Sequence, residues 1–230
     1  MELSLLGCFA ITVDGRSLAV PMVSQRILAL LAIRDQPLHR QYVAGVLWPD
    51  YPEGRAVANL RTALSRLPLG GGALVTASGQ RLVLSSDVAV DLRETRALIR
   101  RVLDQGDDVL GLDRVIDRLM VDLLPGWYDE WILFEQDRYR EVRLHALEAL
   151  CVRLVEVGRT PFAVEVGLAA VAGDPLRESA QQALMNAYLA AGNRAAAVRE
   201  FERFRTMLRR ELGLEPSASL AGMIRQAVLG

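Results

Sequence analysis

The stretch ANLRTALSRL, residues 58–67, has the pattern of an amphipathic helix and contains no acidic residue. On a helical wheel drawn for residues 55–67, one stripe is apolar and would face a core. The stripe comprises Val57, Leu60, Leu64 and Leu67. The opposite face comprises Arg55, Ala58, Asn59, Thr62, Ser65 and Arg66, with Arg61 at its flank. A polar, basic face of this kind either is only solvated or meets a partner.

Positive charge in the first part of the chain is concentrated on this helix and on the segment that follows it. The whole protein has a formal net charge of -1. Between residues 54 and 86 there are four arginines and no aspartate or glutamate. Residues 1–95 together hold nine arginines and eight acidic residues, a net charge of only +1, so the positive charge of that region is concentrated in residues 54–86. A local excess of positive charge favours an anionic partner such as nucleic acid.

The N-terminal run LSLLGCFAITV predicts strand rather than a secretion signal. It follows Glu2, lacks a basic region and leads directly into Asp14-Gly15, a dipeptide typical of hairpin turns. RSLAV after this turn predicts the second strand. No stretch reaches the ~18 continuous apolar residues that a membrane span needs. We therefore expect a cytoplasmic protein that makes no membrane contact.

Three helices are predicted after this first hairpin. Residues 24–35 predict the first, with Ser24 as its N-cap. Residues 40–48 predict the second, which Pro49 ends. The third begins near DYPE, residues 50–53, where Asp50 and Glu53 have the spacing of a capping box, and it runs to Leu67 before Pro68.

A second hairpin follows the third helix. Gly70-Gly71-Gly72 predicts a turn, LVTA and RLVL predict two short strands separated by Ser78-Gly79, and Asp91 after VAV predicts a cap for the next helix. The order of hairpin, three helices and hairpin is typical of a winged helix-turn-helix. In such a domain the third helix enters the major groove, where arginine pairs with guanine, asparagine with adenine, and threonine meets a thymine methyl group or a phosphate.

From about residue 92 the pattern is helical, and it contains an internal repeat of 34 residues. The matching positions include Ala146 with Ala180, Ala149 with Ala183, Leu150 with Leu184, Gly158 with Gly192, Ala163 with Ala197 and Val164 with Val198. This period, with small residues in matching places, is typical of tetratricopeptide helix pairs. The last predicted helix, residues 194–212, has Gly213 as a C-cap candidate.

The sequence offers few residues suited to catalysis or to metal binding. All 27 basic residues are arginine, which excludes a P-loop lysine and a Schiff-base lysine. Cys8 and Cys151 lie in apolar contexts and predict buried free thiols. His39 and His145 stand alone, without the spacing of metal ligands. We therefore expect no enzyme, no cofactor and no metal.

Three aromatic residues, Trp127, Trp131 and Phe134, are spaced four and three apart and predict a helical stripe. Core or interdomain packing is the favoured interpretation, because no convergent polar partners accompany the stripe. A cage for a ligand is the alternative.

Several motifs in order along the chain resemble the antibiotic regulatory protein family of bacterial transcriptional activators. They are VLWPD (46–50), NLRTALSRL (59–67), LLPGWYDEWILFEQDRYRE (123–141), GDPLRESAQQALMNAYLAAGNRAAAVREFERFR (173–205) and ELGLEPS (211–217). The resemblance implies a fold with an α+β OmpR-type winged helix-turn-helix at residues 1–93. It also implies an all-α, tetratricopeptide-like bacterial transcriptional activator domain at residues 94–230.

The resemblance also implies roles for individual residues. Helix 53–67 would be the recognition helix, with base or phosphate contacts from Arg55, Asn59, Thr62, Ser65 and Arg66 and a flanking contact from Arg61. Hairpin 73–84 would be the wing, with Gln80 and Arg81 at its minor-groove tip. Loop WPDYPEG, residues 48–54, would be presented to RNA polymerase.

The partners implied by the resemblance are double-stranded DNA with direct repeats near a promoter, a homodimeric second copy on that DNA, and RNA polymerase, with its sigma subunit as the expected contact. The implied target genes are those of secondary metabolism. Two departures keep an alternative open: Pro68-Leu69 stops the recognition helix where the family commonly continues with basic residues, and Gln80 replaces an aromatic residue in the wing. The alternative is a protein-interaction scaffold that keeps the fold without reading DNA.

Overall fold

The computed structural model describes residues 1–68, 74–104 and 112–229, with residues 112–115 described by backbone alone. The described part of the chain is mostly helical, with a small region of sheet toward the N-terminus. The chain divides into two compact units. The first combines Met1–Ala97 with Val121–Arg138, and the second combines Leu98–Met120 with Tyr139–Gly230. The turn predicted at Gly70-Gly71-Gly72 lies outside the described residues.

Seven short strands of the first unit form two sheets. They are β1 (Glu2–Ser4), β2 (Ala10–Val13), β3 (Arg16–Ser17), β4 (Leu38–His39), β5 (Val75–Ser78), β6 (Arg81–Leu84) and β7 (Ala89–Val90). The four-stranded sheet has the order β3-β2-β1-β7, in which β7 runs parallel to β1. The three-stranded sheet has the order β4-β6-β5 and is antiparallel throughout. Both predicted hairpins, β2–β3 and β5–β6, are confirmed.

The N-terminal apolar run is two strands rather than one. Gly7 has a φ of +79° and separates β1 from β2 in a conformation that glycine adopts at little cost. Cys8, next to it, is exposed, so the prediction of a buried thiol is wrong at this position. The turn carries this thiol outward, because β1 ends and the chain reverses before β2 begins.

The predicted helices of the first unit are present, with ends that differ from the predicted ones by at most two residues. They are α1 (Met22–Arg34), α2 (Arg40–Leu47), α3 (Glu53–Ser65) and the first part of α4 (Asp91–Leu103). Ser24 is not the N-cap of α1, because Pro21 holds that position and Ser24 is buried in the first turn. The capping box at Asp50 is likewise wrong, since Pro52 is the N-cap of α3 and makes no side-chain cap.

Helix α1 lies at the centre of the first unit. Its residues from Ile27 to Ile33 are all buried. It contacts α2, α3 and strand β6. Leu3, Leu5 and Ile11 of the four-stranded sheet region are also in the core.

Asp91 connects the sheet region to α4. Its carboxylate accepts hydrogen bonds from the backbone N–H of Leu5 at 2.9 Å and of Leu6 at 3.1 Å. These two donors lie just beyond the end of β1, where no neighbouring strand takes them. A single side chain at the start of α4 therefore satisfies the backbone at the end of β1.

Residues 121–138 complete the first unit from a distant part of the sequence. Leu6 and Leu123 form an antiparallel bridge, and the Gly7 N–H donates to the Asp122 carbonyl at 2.8 Å. Trp127 stacks on Phe9 with ring centroids 6.0 Å apart. Backbone pairing and aromatic packing thus attach this segment to the N-terminal strands.

Ion pairs attach the same segment to α1 and α4. Arg26 pairs with Asp129. The Glu135 side chain is only 2% exposed, and its carboxylate lies 2.7 Å from Nη1 of Arg34 and 3.9 Å from Nη2 of Arg96. A carboxylate buried to this degree depends on its arginine partners for the solvation that water no longer provides.

Six helices make up most of the described second unit, together with the end of α4. They are α5 (Leu112–Leu119), α6 (Glu130–Glu156), whose residues from Tyr139 onward belong to this unit, α7 (Thr160–Gly173), α8 (Glu178–Ala190), α9 (Arg194–Leu212) and α10 (Ala218–Leu229). The last predicted helix, residues 194–212, is confirmed as α9, with Gly213 in the left-handed conformation as its C-cap.

The 34-residue repeat is confirmed as two helix pairs, α6–α7 and α8–α9. Gly158 follows α6 with a φ of +75°, and Gly192 follows α8 with a φ of +72°. Both glycines therefore allow the same left-handed turn between the members of a pair. The matched residues Leu150 and Leu184, like the matched Ala163 and Ala197, are fully buried.

Two further contacts fix the packing of these helices. Arg177 joins α8 to α6 through Glu141 at 2.8 Å and Glu148 at 2.5 Å. The hydrogen bond from Arg177 lowers the pKa of the Glu141 carboxyl. Cys151 is buried against the Ala163 carbonyl at 3.2 Å, and burial raises the pKa of its thiol to about 12, which keeps it protonated and unreactive.

Across the described ranges, no helix is long and apolar enough to serve as a membrane span.

Substituting Glu135→Ala should lower the free energy of unfolding of the first unit by about 2–4 kcal/mol, because it removes the buried carboxylate that pairs with Arg34 and Arg96. The chain's three tryptophans, Trp48, Trp127 and Trp131, all belong to this unit, so tryptophan fluorescence during urea denaturation measures its unfolding. Arg93→Ala is the control, because Arg93 and Asp35 form an exposed pair, 42% and 44% accessible, worth less than about 1 kcal/mol. Equal losses in the two variants would contradict the structural role of Glu135.

Substituting Gly167→Ala should destabilise the second unit by roughly 1 kcal/mol. A Cβ atom there would lie 3.0 Å from the Cα of Leu184, so the backbones of α7 and α8 would have to separate. Gly222→Ala in α10 is the control, because a Cβ there meets nothing within 4 Å and alanine should add about 0.5–1 kcal/mol. Thermal unfolding followed by circular dichroism should show a lower midpoint temperature for Gly167→Ala and a higher one for Gly222→Ala.

Candidate nucleic-acid interface

Helix α3 is docked through small side chains. Its buried residues are Ala56, Leu60 and Ala63, and the hydroxyl of Ser24 in α1 donates to the Ala63 carbonyl at 3.4 Å. Val57 and Leu64 are only half-buried. The predicted apolar stripe is therefore confirmed at Leu60 and Leu67. The rest of the buried face is formed by the two alanines and not by Val57 and Leu64. These small side chains allow α3 to approach α1 closely.

The outward face of α3 carries most of the predicted site. Arg55, Arg61, Thr62, Ser65 and Arg66 are exposed, whereas Asn59 is half-buried. Helix α3 ends at Ser65, two residues before the predicted end, and Arg66 occupies the C-cap position. The side chain of Arg66 therefore projects from the turn after the helix and not from its last turn.

Two hydroxyl groups on this face are oriented by the helix itself. Thr62 Oγ1 donates to the Ala58 carbonyl at 3.1 Å, and Ser65 Oγ donates to the Thr62 carbonyl at 2.9 Å. Each hydroxyl uses its single proton inside the helix and leaves its lone pairs free to accept. The donors on this face are therefore the arginine side chains and the half-buried Asn59 amide, which suits a ligand rich in acceptor atoms.

The β5–β6 hairpin presents Gln80 and Arg81 to solvent, and both side chains are exposed. Strand β4 pairs with β6 so that His39 lies opposite Arg81. The Arg40 N–H donates to the Gln80 carbonyl at 2.8 Å. The tip of the hairpin is thereby fastened to the first residue of α2.

A groove of about 660 Å³ joins α3, the hairpin tip and the start of α2. Its lining residues are His39, Arg40, Gln41, Val57, Leu60, Arg61, Gly79 and Gln80. No lining residue carries a carboxylate. The structure thus brings Arg61 and Gln80 of the predicted site to one groove and places the remaining predicted residues around it on α3 and β6.

Sequence reasoning missed His39, Arg40 and Gln41. His39 Nδ1 accepts from the Gln41 N–H at 3.4 Å and caps α2. Their place depends on β4, a strand of two residues, which no periodicity can predict from so short a stretch. The only sequence signal for this part of the site was that two polar residues, Arg40 and Gln41, begin the second predicted helix.

The arginines of the first unit fall into two groups. Arg26, Arg34 and Arg93 are paired with carboxylates of Asp129, Glu135 and Asp35. Arg40, Arg55, Arg61, Arg66 and Arg81 form no ion pair with any residue that the structure describes. Arg16 on β3 and Arg138 on α6 also form no ion pair with a described residue, so five of the seven unpaired arginines of the unit lie on or next to α3, on the hairpin and at the start of α2.

The predicted aromatic stripe does not exist as one helical face. Helix α6 begins at Glu130, so Trp127 precedes it and stacks on Phe9 instead. Trp131 is half-buried, and Phe134 is 66% exposed. The prediction of three aromatic residues sharing a helical stripe, and with it the packing of Phe134 in a core, is wrong.

No metal site is evident in the described part of the chain, where no group of three or more histidine, cysteine, aspartate or glutamate side chains converges.

Comparison with known proteins matches most of the chain to regulatory proteins. A family model described as bacterial transcriptional activator domain matches residues 119–229. Regulatory protein AfsR of Streptomyces coelicolor is 31% identical over 221 residues, which are 90% of this chain and 22% of that protein. Regulatory protein AfsR of Streptomyces griseus is 32% identical over 213 residues, which are 85% of this chain and 21% of that protein. The chain therefore spans about a fifth of the length of these curated relatives.

A solved structure of similar fold is that of Mycobacterium tuberculosis EmbR in complex with a low affinity phosphopeptide. The TM-score is 0.71, and the match covers 99% of this chain and 65% of that chain. At 20% sequence identity this match shows a shared fold and carries no further conclusion.

Proposed function

Since this chain belongs to the antibiotic regulatory protein family of bacterial transcriptional activators, we propose that it activates transcription by binding double-stranded DNA through α3 and the β5–β6 hairpin. The observation that carries this proposal is the sorting of arginines in the first unit. Five arginines without a carboxylate partner among the described residues lie on or next to α3, on the hairpin and at the start of α2, and two of them, Arg40 and Arg61, line a groove that has no acidic lining. A surface of this composition is suited to phosphate and base-edge acceptors.

The proposed architecture is an OmpR-type winged helix, residues 1–93, followed by a tetratricopeptide-like activator domain, residues 94–230. Helix α3 is the recognition helix in this proposal and lies in the major groove. The β5–β6 hairpin is the wing and reaches the minor groove with Gln80 and Arg81. The exposed positions of these two side chains support that role.

Individual contacts on α3 are proposed from exposure and chemistry. Arg55, Arg61 and Arg66 contact guanine edges or phosphates, and Thr62 and Ser65 offer acceptor lone pairs at the same surface. Asn59 is half-buried and reaches adenine only at the edge of the interface. The groove adds Arg40 as a phosphate contact that lies between the wing and α3.

Two copies bound to direct repeats are proposed as the active form. Residues 1–95 as a whole have a net charge of only +1, so each copy contributes few phosphate contacts. Binding side by side combines the binding free energies of two weak sites. Recruitment of RNA polymerase, with its sigma subunit as the contact, is assigned to loop 48–54 and follows the family resemblance.

The experiment that tests the proposed function is a footprint of the purified protein on its own upstream region and on neighbouring intergenic DNA. We expect protection of direct repeats that weakens as salt rises, with competitor DNA present. Binding no stronger than to random DNA, by a protein shown to be folded, would overturn the proposal and favour the scaffold alternative.

Replacing Arg66 with alanine should separate base reading from phosphate contact. If Arg66 pairs with guanine, binding to the specific site should lose roughly 1–3 kcal/mol and specificity should relax at one base position. If it contacts phosphate, binding should weaken evenly and the slope of log K against log salt should fall by about 1. Titrations at several salt concentrations distinguish these results.

Arg16→Ala is the matched control for this experiment. It removes the same charge from the same unit, at an exposed position on β3 in the other sheet. We expect it to leave both affinity and salt slope close to those of the unchanged protein. An Arg66→Ala variant that behaves like Arg16→Ala would remove Arg66 from the interface.

A further inference from the structure

Arg55 is the one arginine of the α3 face, within the described residues, for which the structure shows an aromatic partner. Its Cζ atom lies 5.3 Å from the centre of the Tyr51 ring. Tyr51 is 45% exposed and belongs to the loop just before α3. At this distance the ring attracts the guanidinium group.

A cation–π contact restricts a guanidinium side chain without neutralising its charge. The N–H donors that read a guanine bidentately lie along the edge of the group, in its plane. A carboxylate partner would instead take two of the same donors and cancel the charge.

The nearest carboxylate on α3 is held away from Arg55. Glu53 lies two residues before it, in the first turn, and its Oε1 accepts from Gln41 Nε2 at 2.8 Å. No ion pair between Glu53 and Arg55 occurs in the described structure. Glu53 is directed toward Gln41 of α2, and residues two apart on a helix do not face each other, so Arg55 keeps its charge beside Tyr51.

We propose that Tyr51 is a positioning residue for DNA recognition, which holds the Arg55 guanidinium through a cation–π contact so that its charge and N–H donors remain available to read a base. This inference rests on the proposed function and assigns base discrimination by α3 chiefly to Arg55. Arg61 and Arg66, which no described aromatic ring holds, lose more side-chain freedom on binding. The assignment gives Tyr51 a role at the DNA rather than at the polymerase.

The test is a double-mutant cycle on Tyr51 and Arg55, measured as affinity for the footprinted site and for random DNA. Tyr51→Ala should weaken specific binding about two- to five-fold and lower the ratio of specific to random binding. Tyr51→Phe keeps the ring and should behave like the unchanged protein. In an Arg55→Ala background, Tyr51→Ala should have no further effect, because its partner is absent.

The salt dependence supplies a second readout. Tyr51→Ala removes no charge, so the slope of log K against log salt should stay the same, whereas Arg55→Ala changes the charge of the surface. Tyr42→Ala, which removes a comparably exposed tyrosine from α2, is the control and should alter neither quantity. Fluorescence unfolding of each variant confirms that α3 remains folded.

Three outcomes overturn the proposal for Tyr51. Tyr51→Ala could leave specific binding unchanged, its effect could add independently to that of Arg55→Ala, or it could abolish transcription activation with DNA affinity intact, which would assign Tyr51 to the polymerase. Each of these results leaves the DNA-binding function standing. Absence of any preference of the unchanged protein for promoter DNA would instead overturn the proposed function itself.

Discussion

Burial of α1 on almost every side is the constraint on which the first unit depends. A helix whose central residues are all buried needs neighbours around it, and α2, α3, strand β6 and residues 121–138 meet that need. Because Ser24 of α1 contacts the backbone of α3 at Ala63, the position of the outward face of α3 is set from the core outward. The rigidity of the proposed DNA surface therefore comes from a helix that does not itself reach DNA.

The same helix explains how the arginines of this unit divide. Arg26 and Arg34 lie on α1 and form ion pairs with carboxylates of residues 121–138, the segment that completes the first unit. Arginines on α3 and on the wing meet no such segment and keep their donors. Arginine serves both purposes because its planar group binds a carboxylate, an aromatic ring or a base edge with equal geometric precision. The partner that the fold supplies decides which role each one takes.

Local sequence patterns predicted the elements that depend on local sequence. Both hairpins, the three helices, α9 and the 34-residue repeat follow from turn dipeptides, apolar spacing and glycine positions, and the structure confirms them. The capping predictions failed at Ser24 and Asp50 because a proline took the N-cap position in each helix. Several neighbouring residues can occupy the N-cap position of a helix. The sequence therefore locates the start of a helix only to within two or three residues.

Long-range features could not be predicted from such patterns. The pairing of β4 with β6, which places His39 and Arg40 in the groove, joins segments about 40 residues apart through a strand of two residues. The contact of Leu123 with Leu6 joins segments that are still farther apart. The predicted aromatic stripe failed for a related reason, because Trp127 packs on Phe9 near the other end of the chain rather than on its own helix. Alanines on α3 also bury more readily than a hydropathy stripe suggests, since a small side chain permits close approach where a larger apolar one keeps helices apart.

The short length of α3 limits what one copy can read. Its 13 residues span roughly 20 Å, and Arg66 lies beyond its end at the C-cap. One such helix offers only a few side chains to base edges, so discrimination depends on how well each is held. The cation–π contact of Arg55 with Tyr51 improves one contact without adding charge, whereas additional free arginines would strengthen binding to all DNA alike. A surface with few unpaired arginines, one of them preorganised, therefore favours specificity over affinity in the proposed function, and the proposed pairing of two copies on direct repeats would supply the missing affinity.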